Sequence, residues 1–188
     1  MSCMFRKFYL WIRKRFLNID DRSPLQRAVD NGLKIGKDCH VEGGCSFDAV
    51  LCHLIEIGDR VTLAPFTRIY AHDASTKMPL GYARIGRVKI GNDVFVGSGT
   101  IILPGVTIGD RVIIGAGSVV SRSIPEGSVA AGNPCRVIGT YDDFLARRSA
   151  QMENSPKYGD DYLAGSITEE KKEQMLRELS DSKQGYII

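Results

Sequence analysis

At 188 residues the chain is long enough for one sizeable core with short appendages. Its 43% hydrophobic and 25% charged residues are ordinary for a soluble globular protein, and a net charge of +3 carries no nucleic-acid footprint. No apolar run reaches the roughly 18 residues of a membrane-spanning helix, and the odd set of five cysteines lacks a C-x-x-C pair, so reduced thiols in a cytoplasmic protein are expected.

The N-terminus, MSCMFRKFYLWIRKRF, has neither a continuous apolar core nor a small-residue cleavage site, so it does not read as a secretion signal. Phe5, Phe8, Trp11, Ile12 and Phe16 fall at helical spacing among Arg6, Lys7, Arg13, Lys14 and Arg15. Residues 1–32 are therefore taken as a basic amphipathic helix and connector. Its aromatic face would pack on the body or on a sister subunit, or else rest peripherally on an anionic membrane face.

Beyond it, aliphatic residues recur every sixth position. One frame runs Ile90, Val96, Ile102, Ile108, Ile114, Val120, with glycine following four of the six. Four residues on in each hexad stand Val94, Thr100, Val106, Val112, Ser118 and Ile124. Earlier frames read Ile57, Leu63, Ile69 and, before that, Ile35, Val41, Phe47. A period of six fits neither the helical 3.6 nor simple alternation. It predicts a left-handed parallel β-helix, a triangular prism in which each hexad is a short strand and a turn. Residues 90–107 and 108–125 would be two complete coils, within a domain spanning 33–138.

The frame breaks twice. The step from Phe47 to Ile57 carries four extra residues, and residues 73–84, DASTKMPLGYAR, leave the frame altogether as an extruded loop. Loops thrown out of a rigid scaffold are where function concentrates. After Ile124-Pro125 the regular coil is expected to end in a turn-rich stretch. A helix is expected over 141–153 and a charged one over 168–182, capped by Ser166 or Thr168, making 139–188 a C-terminal helical tail.

The stretch VKIGNDVFVGSGTIILPGVTIGDRVIIGAGSVVSRSIPEGSVAAGNPCRVI, residues 88–138, resembles the C-terminal signature of the hexapeptide-repeat acyltransferases. Over about 33–138 the chain is most similar to the sugar O-acetyltransferases, such as galactoside and maltose acetyltransferases and those of capsule or lipopolysaccharide clusters. The resemblance implies a homotrimer with sites between prisms, acetyl-CoA as donor, a sugar or glycan acceptor in surface polysaccharide synthesis, and no metal.

Acetyl transfer to a hydroxyl needs a base for the alcohol proton and donors for the developing oxyanion. His72, at the start of the extruded loop, stands where the family places its catalytic histidine; His40 and His53 read as structural or exposed. In the galactoside type the histidine lies slightly later, in a slot held here by Ala74. Asp73 is a candidate to orient the imidazole or bind a sugar hydroxyl. For the donor, the resemblance implies Ser98 and Ala116 against the pantetheine amides, Ser121 and Arg122 nearer the nucleotide, and Arg136 near the phosphates. Ser46 lies by frame where galactoside-type relatives carry an asparagine on the acceptor, and Tyr82, with Met78, would wall the sugar. An N-acetyltransferase on an amino sugar is the main alternative. A zinc lyase of the carbonic anhydrase type lacks the closely spaced histidine pair, and a non-catalytic scaffold would have no need of this site set.

Overall fold

A computed structural model describes residues 22–182 and 184–188, which places the aromatic, basic stretch before Arg22 outside the described residues. The chain divides into two compact units, one ending at Ile138 and the other Gly139–Ile188.

The first unit opens on α1 (Pro24–Asp30). Ser23 caps it by accepting the Gln26 N–H, and Pro24 stands at its first position, where no amide partner is needed. Two-residue strands follow: β1 (Lys34–Ile35), β2 (His40–Val41), β3 (Ser46–Phe47), then β4 (Ile55–Ile57), β5 (Thr62–Leu63) and β6 (Arg68–Ile69). A hairpin, β7 (His72–Asp73) and β8 (Arg84–Ile85), encloses the short helix α2 (Lys77–Leu80). The strands then resume as β9 (Val88–Ile90), β10 (Phe95–Val96), β11 (Ile101–Ile102), β12 (Thr107–Ile108), β13 (Ile113–Ile114) and β14 (Val119–Val120), and close with β15 (Ser128–Ala131) and β16 (Arg136–Thr140).

Successive strands visit three sheets in turn. Sheet A has the order β1-β4-β9-β12, sheet B β16-β15-β13-β10-β5-β2, and sheet C β14-β11-β6-β3. All recorded pairings in this coil are parallel. Where the hexads are regular the register is 18 residues, as in Phe95↔Ile113. It lengthens to 22 between His40 and Thr62, which absorbs the four extra residues, and to 33 between Thr62 and Phe95, which absorbs the hairpin.

The hexad column forms the core. Ile69, Val96, Ile102, Ile114 and Val120 are wholly buried, Val61, Val94 and Val112 stack as a second buried column, and Val88 and Val106 as a third. Each such side chain contributes about 1.5–3 kcal/mol by leaving water. Glycines in the frame serve close coil stacking: a Cβ on Gly97 would sit 2.5 Å from the Ala116 amide nitrogen.

At the corner between sheets A and B, Asp38, Arg60, Asp93 and Arg111 all adopt positive φ, and they follow one another coil by coil. Their charges alternate. Arg60 forks onto both carboxylate oxygens of Asp93 at 2.6 and 2.7 Å. Beside this ladder the Asp59, Asn92 and Asp110 side chains accept the N–H groups of Lys37, Asp59 and Asn92 from the preceding coil.

One expectation is corrected here. The coil does not end near Pro125: Ile124 bridges Ile108, β15 adds to sheet B, and Val119 donates to the Gly132 carbonyl. The Ile113↔Val129 register is 16 rather than 18, so the last coil is two residues short and lost its six-residue frame without losing its strand.

In the second unit, α3 (Tyr141–Glu153) is capped by Thr140, which accepts the Asp143 N–H. A parallel pair, β17 (Lys157–Tyr158) and β18 (Tyr186–Ile187), accompanies α4 (Glu169–Ser182), where Thr168 Oγ accepts from Lys171. Buried Tyr158 donates its hydroxyl to Glu178, and Lys171 pairs with Asp161 at 2.7 Å. Among the described residues no helix is long and apolar enough to cross a membrane.

Candidate active site

Both breaks in the hexad frame fall at the same corner, between sheets C and A, one coil apart. The first follows β3: Asp48 to Leu51 turn outward and the 3-10 turn Cys52–Leu54 returns the chain to β4. The second follows β6. Ala71 is still in the coil and wholly buried, the hairpin opens with His72 paired to Ile85, and Gly86 rejoins the coil by donating to the Ala71 carbonyl. The extrusion therefore spans 72–85, one residue wider at each end than the frame alone implies.

The two breaks are joined by one carboxylate. Asp48 is buried, with its side chain fully out of solvent. Its Oδ1 accepts the N–H groups of Val50 at 3.1 Å and Leu51 at 2.9 Å, and its Oδ2 accepts the Ala71 N–H at 3.0 Å. The same Oδ2 takes a short hydrogen bond from His72 Nδ1. Burial alone would push this carboxyl up, yet the donors from Leu51, His72, Val50 and Ala71 hold it below the ordinary carboxylate range. With Nδ1–H committed to Asp48, the neutral imidazole presents its lone pair at Nε2, and 40% of the His72 side chain remains exposed. A histidine held in one tautomer by a buried carboxylate and open on its other nitrogen is built to accept a proton.

Asp48 is the residue that sequence reasoning missed. The expectation that Asp73 orients the imidazole is corrected. Asp73 is extended and its carboxylate turns forward, accepting the Ser75 N–H at 2.9 Å and facing Arg84 across the hairpin at 3.5 Å. These donors hold Asp73 below the ordinary range as well, the Ser75 N–H first among them. The available signal was position: Asp48 directly follows the last in-frame residue before the four-residue insertion.

Tyr82 lies at the hairpin tip, 82% exposed, and its carbonyl accepts from Thr76 Oγ. Met78 is more open still. Ser46 sits on β3, half-buried, opposite Arg68.

The residues matched to the donor fall into two columns. Ser98 and Ala116 stack at the corner between sheets B and C, where the Gly117 N–H donates to the Ser98 carbonyl at 2.8 Å. Their neighbours Gly99 and Gly117 have positive φ, and nothing stands within 4 Å of where a Cβ would be. Among the described residues, the side chains carried by this strip are no larger than Ser and Ala. Ser121 and Arg122 instead occupy the C–A corner, in the same column as Tyr70 and Ala71, just before His72. Both are exposed, and Arg122 forms no ion pair among the described residues. Arg136, also exposed, donates to the Cys135 carbonyl.

His40 and His53 are exposed on β2 and in the 3-10 turn. Among the described residues no three His, Cys, Asp or Glu side chains gather as a metal site.

Residues 87–122 match the family of bacterial transferases with hexapeptide repeats (six repeats). The chain is 34% identical to protein CapG of Staphylococcus aureus over 184 residues, covering 95% of this chain and 98% of that protein. It is 43% identical to the galactoside O-acetyltransferase of Escherichia coli K12 over 139 residues, covering 70% of this chain and 68% of that one. Among solved structures, a hexapeptide-repeat acetyltransferase of Vibrio cholerae in complex with acetyl coenzyme A superposes with a TM-score of 0.53 at 26% identity, over 58% of this chain and 61% of that one. The repeat, the parallel three-sheet coil and these likenesses together establish that the chain belongs to the hexapeptide-repeat transferases and is an acetyltransferase.

Proposed function

We propose that the enzyme moves the acetyl group of acetyl-CoA to a hydroxyl of a sugar in surface polysaccharide synthesis, with His72 as general base. The observation that carries this reading is the Asp48–His72 pair at the one corner where the repeat is broken twice. The substrate hydroxyl approaches Nε2 of His72, which removes its proton as the oxygen attacks the thioester carbonyl. Asp48 keeps Nδ1 protonated before the step and stabilises the imidazolium formed during it. The same proton then leaves His72 for the departing thiolate, so the base is restored and no net charge is left in the site.

The uncovered backbone along Ser98 and Ala116 suits an extended pantetheine arm, and Arg122 and Arg136 supply guanidinium groups for phosphates. We further propose a left-handed prism assembled as a homotrimer. Within one chain the Ser98/Ala116 column and the His72/Arg122 column lie on opposite edges of sheet C. Packing two prisms side by side lets one copy's backbone strip meet the next copy's base, which supports a site shared between subunits. Free Cys39, Cys45, Cys52 and Cys135 support a cytoplasmic location.

The test is thiol release from acetyl-CoA across a panel of sugars and sugar nucleotides. Turnover with a defined acceptor that is abolished in His72→Ala, with the oligomer and circular dichroism unchanged, is the expected result. Near wild-type turnover in that variant would sink the assignment of the base.

A further inference from the structure

Between α1 and β3 lies a half-open cavity of about 410 Å³, lined by Arg27, Ala28, Asn31, Ser46, Asp48 and Cys52. Arg27, Ala28 and Asn31 share one face of the chain through α1, since spacings of three and four bring side chains together. The opposite wall is β3 and the first residues of the frame break. Its volume falls in the range of small-molecule pockets.

The charges in this cavity are unbalanced. Arg27 is half-buried and forms no ion pair with any described residue. The nearest acid on its own helix, Asp30, is engaged by Arg22 at 2.6 Å and by Gln26 at 2.9 Å. The cavity's other charge, Asp48, spends both carboxylate oxygens on three backbone amides and His72, and its side chain exposes nothing to solvent. A half-buried arginine on a cavity wall with no ion pair among the described residues marks a place for an anion, which its guanidinium takes as a planar, bidentate donor. Asn31 and Ser46 add neutral groups of the kind that bind sugar hydroxyls. Asp48 ties the cavity to the base, because it lines one and holds the other.

We propose that this cavity receives the acceptor and that Arg27 selects one bearing an anionic group, a sugar carboxylate or a sugar phosphate. The proposal rests on the reading of His72 as the base that deprotonates the acceptor. It gives Arg27 a specificity role and leaves the chemistry to His72.

The full-length protein is titrated with methyl glucuronide, glucose 1-phosphate and methyl glucoside while the methyl signals of Ala28 and of Ala49, another lining residue, are followed by NMR. An anionic sugar should saturate those shifts at a concentration about ten-fold or more below the neutral one. Whether the carboxylate or the phosphate binds tighter identifies the source of the charge. Arg27→Gln should remove that preference, and Arg27→Lys should restore part of it. Equal half-saturation for neutral and charged sugars, no shift with any of them, or indifference to Arg27→Gln would each overturn the proposal. The transferase reading fails separately: anions that bind here while His72→Ala leaves acetyl transfer intact would refute the base, and with it the cavity's role as acceptor site, while the anion selectivity of Arg27 would stand.

Discussion

The coils from Val88 to Ile124 and the corner at residues 48–54 and 71–86 are made of the same chain by opposite rules. In the coils one position serves one purpose eighteen residues apart, so Val96 and Ile114 or Ile102 and Val120 are interchangeable in role and each is wholly buried. At the corner nothing recurs. Asp48 and His72 have no counterparts one coil on, where Tyr70 and Gly105 stand as ordinary corner residues. The repeat provides stiffness, and its two interruptions place one buried aspartate and one half-exposed histidine on that stiff support.

Substitutions can pull the two regions apart. His72→Ala should lower kcat by roughly 10²–10⁴-fold, the range for loss of a general base, and should cost about 1–3 kcal/mol of stability, because buried Asp48 loses one of its donors. Asp48→Asn should cost about 10- to 100-fold in kcat, because an amide can turn a hydrogen towards Nδ1 and present the wrong tautomer. That variant also tests pH dependence. The folded Asp48 lies below its ordinary value, so its contribution to stability is complete above the unfolded pKa of about 3.9 and is lost as pH falls through the lowered folded value. Acid unfolding followed by fluorescence should therefore be less steep in Asp48→Asn than in the parent. In the coils the pattern reverses. Ile102→Ala should cost about 2–5 kcal/mol in denaturant unfolding while KM and kcat of the folded fraction stay near the parent values. Asp73→Asn should do least, since asparagine can accept the Ser75 N–H as aspartate does, and should leave kcat and the pH profile in place; a large loss of kcat would return Asp73 to the site.

How far the sequence alone could be read follows the same division. The hexad column from Ile90 to Val120 announces the three sheets because a buried repeat must be written in aliphatic residues. The place of His72 at the edge of the broken frame was legible, and folding pairs it with Asp48 there. Asp48 was not, since its partner lies 24 residues away and only folding brings Oδ2 to Nδ1. Asp73 drew attention by adjacency, but adjacent side chains on a strand point to opposite faces and seldom meet. The last coil was hidden for another reason: β15 keeps its parallel pairing to β13 with a register of 16, which a search for sixes passes over. Arg27 and Asn31 have no motif at all, and only the docking of α1 on β3 gives them a shared cavity.

The alternating corner of Asp38, Arg60, Asp93 and Arg111 has a consequence for how such a protein can change length. Excising the coil that carries Asp93 would set Arg60 against Arg111, and excising the one that carries Arg60 would set Asp38 against Asp93. Either deletion leaves the hydrophobic register intact but sets like charges side by side on the surface. Within this row interior coils can be lost or gained without like charges meeting only in pairs, so surface residues act as a parity check on the number of inner turns.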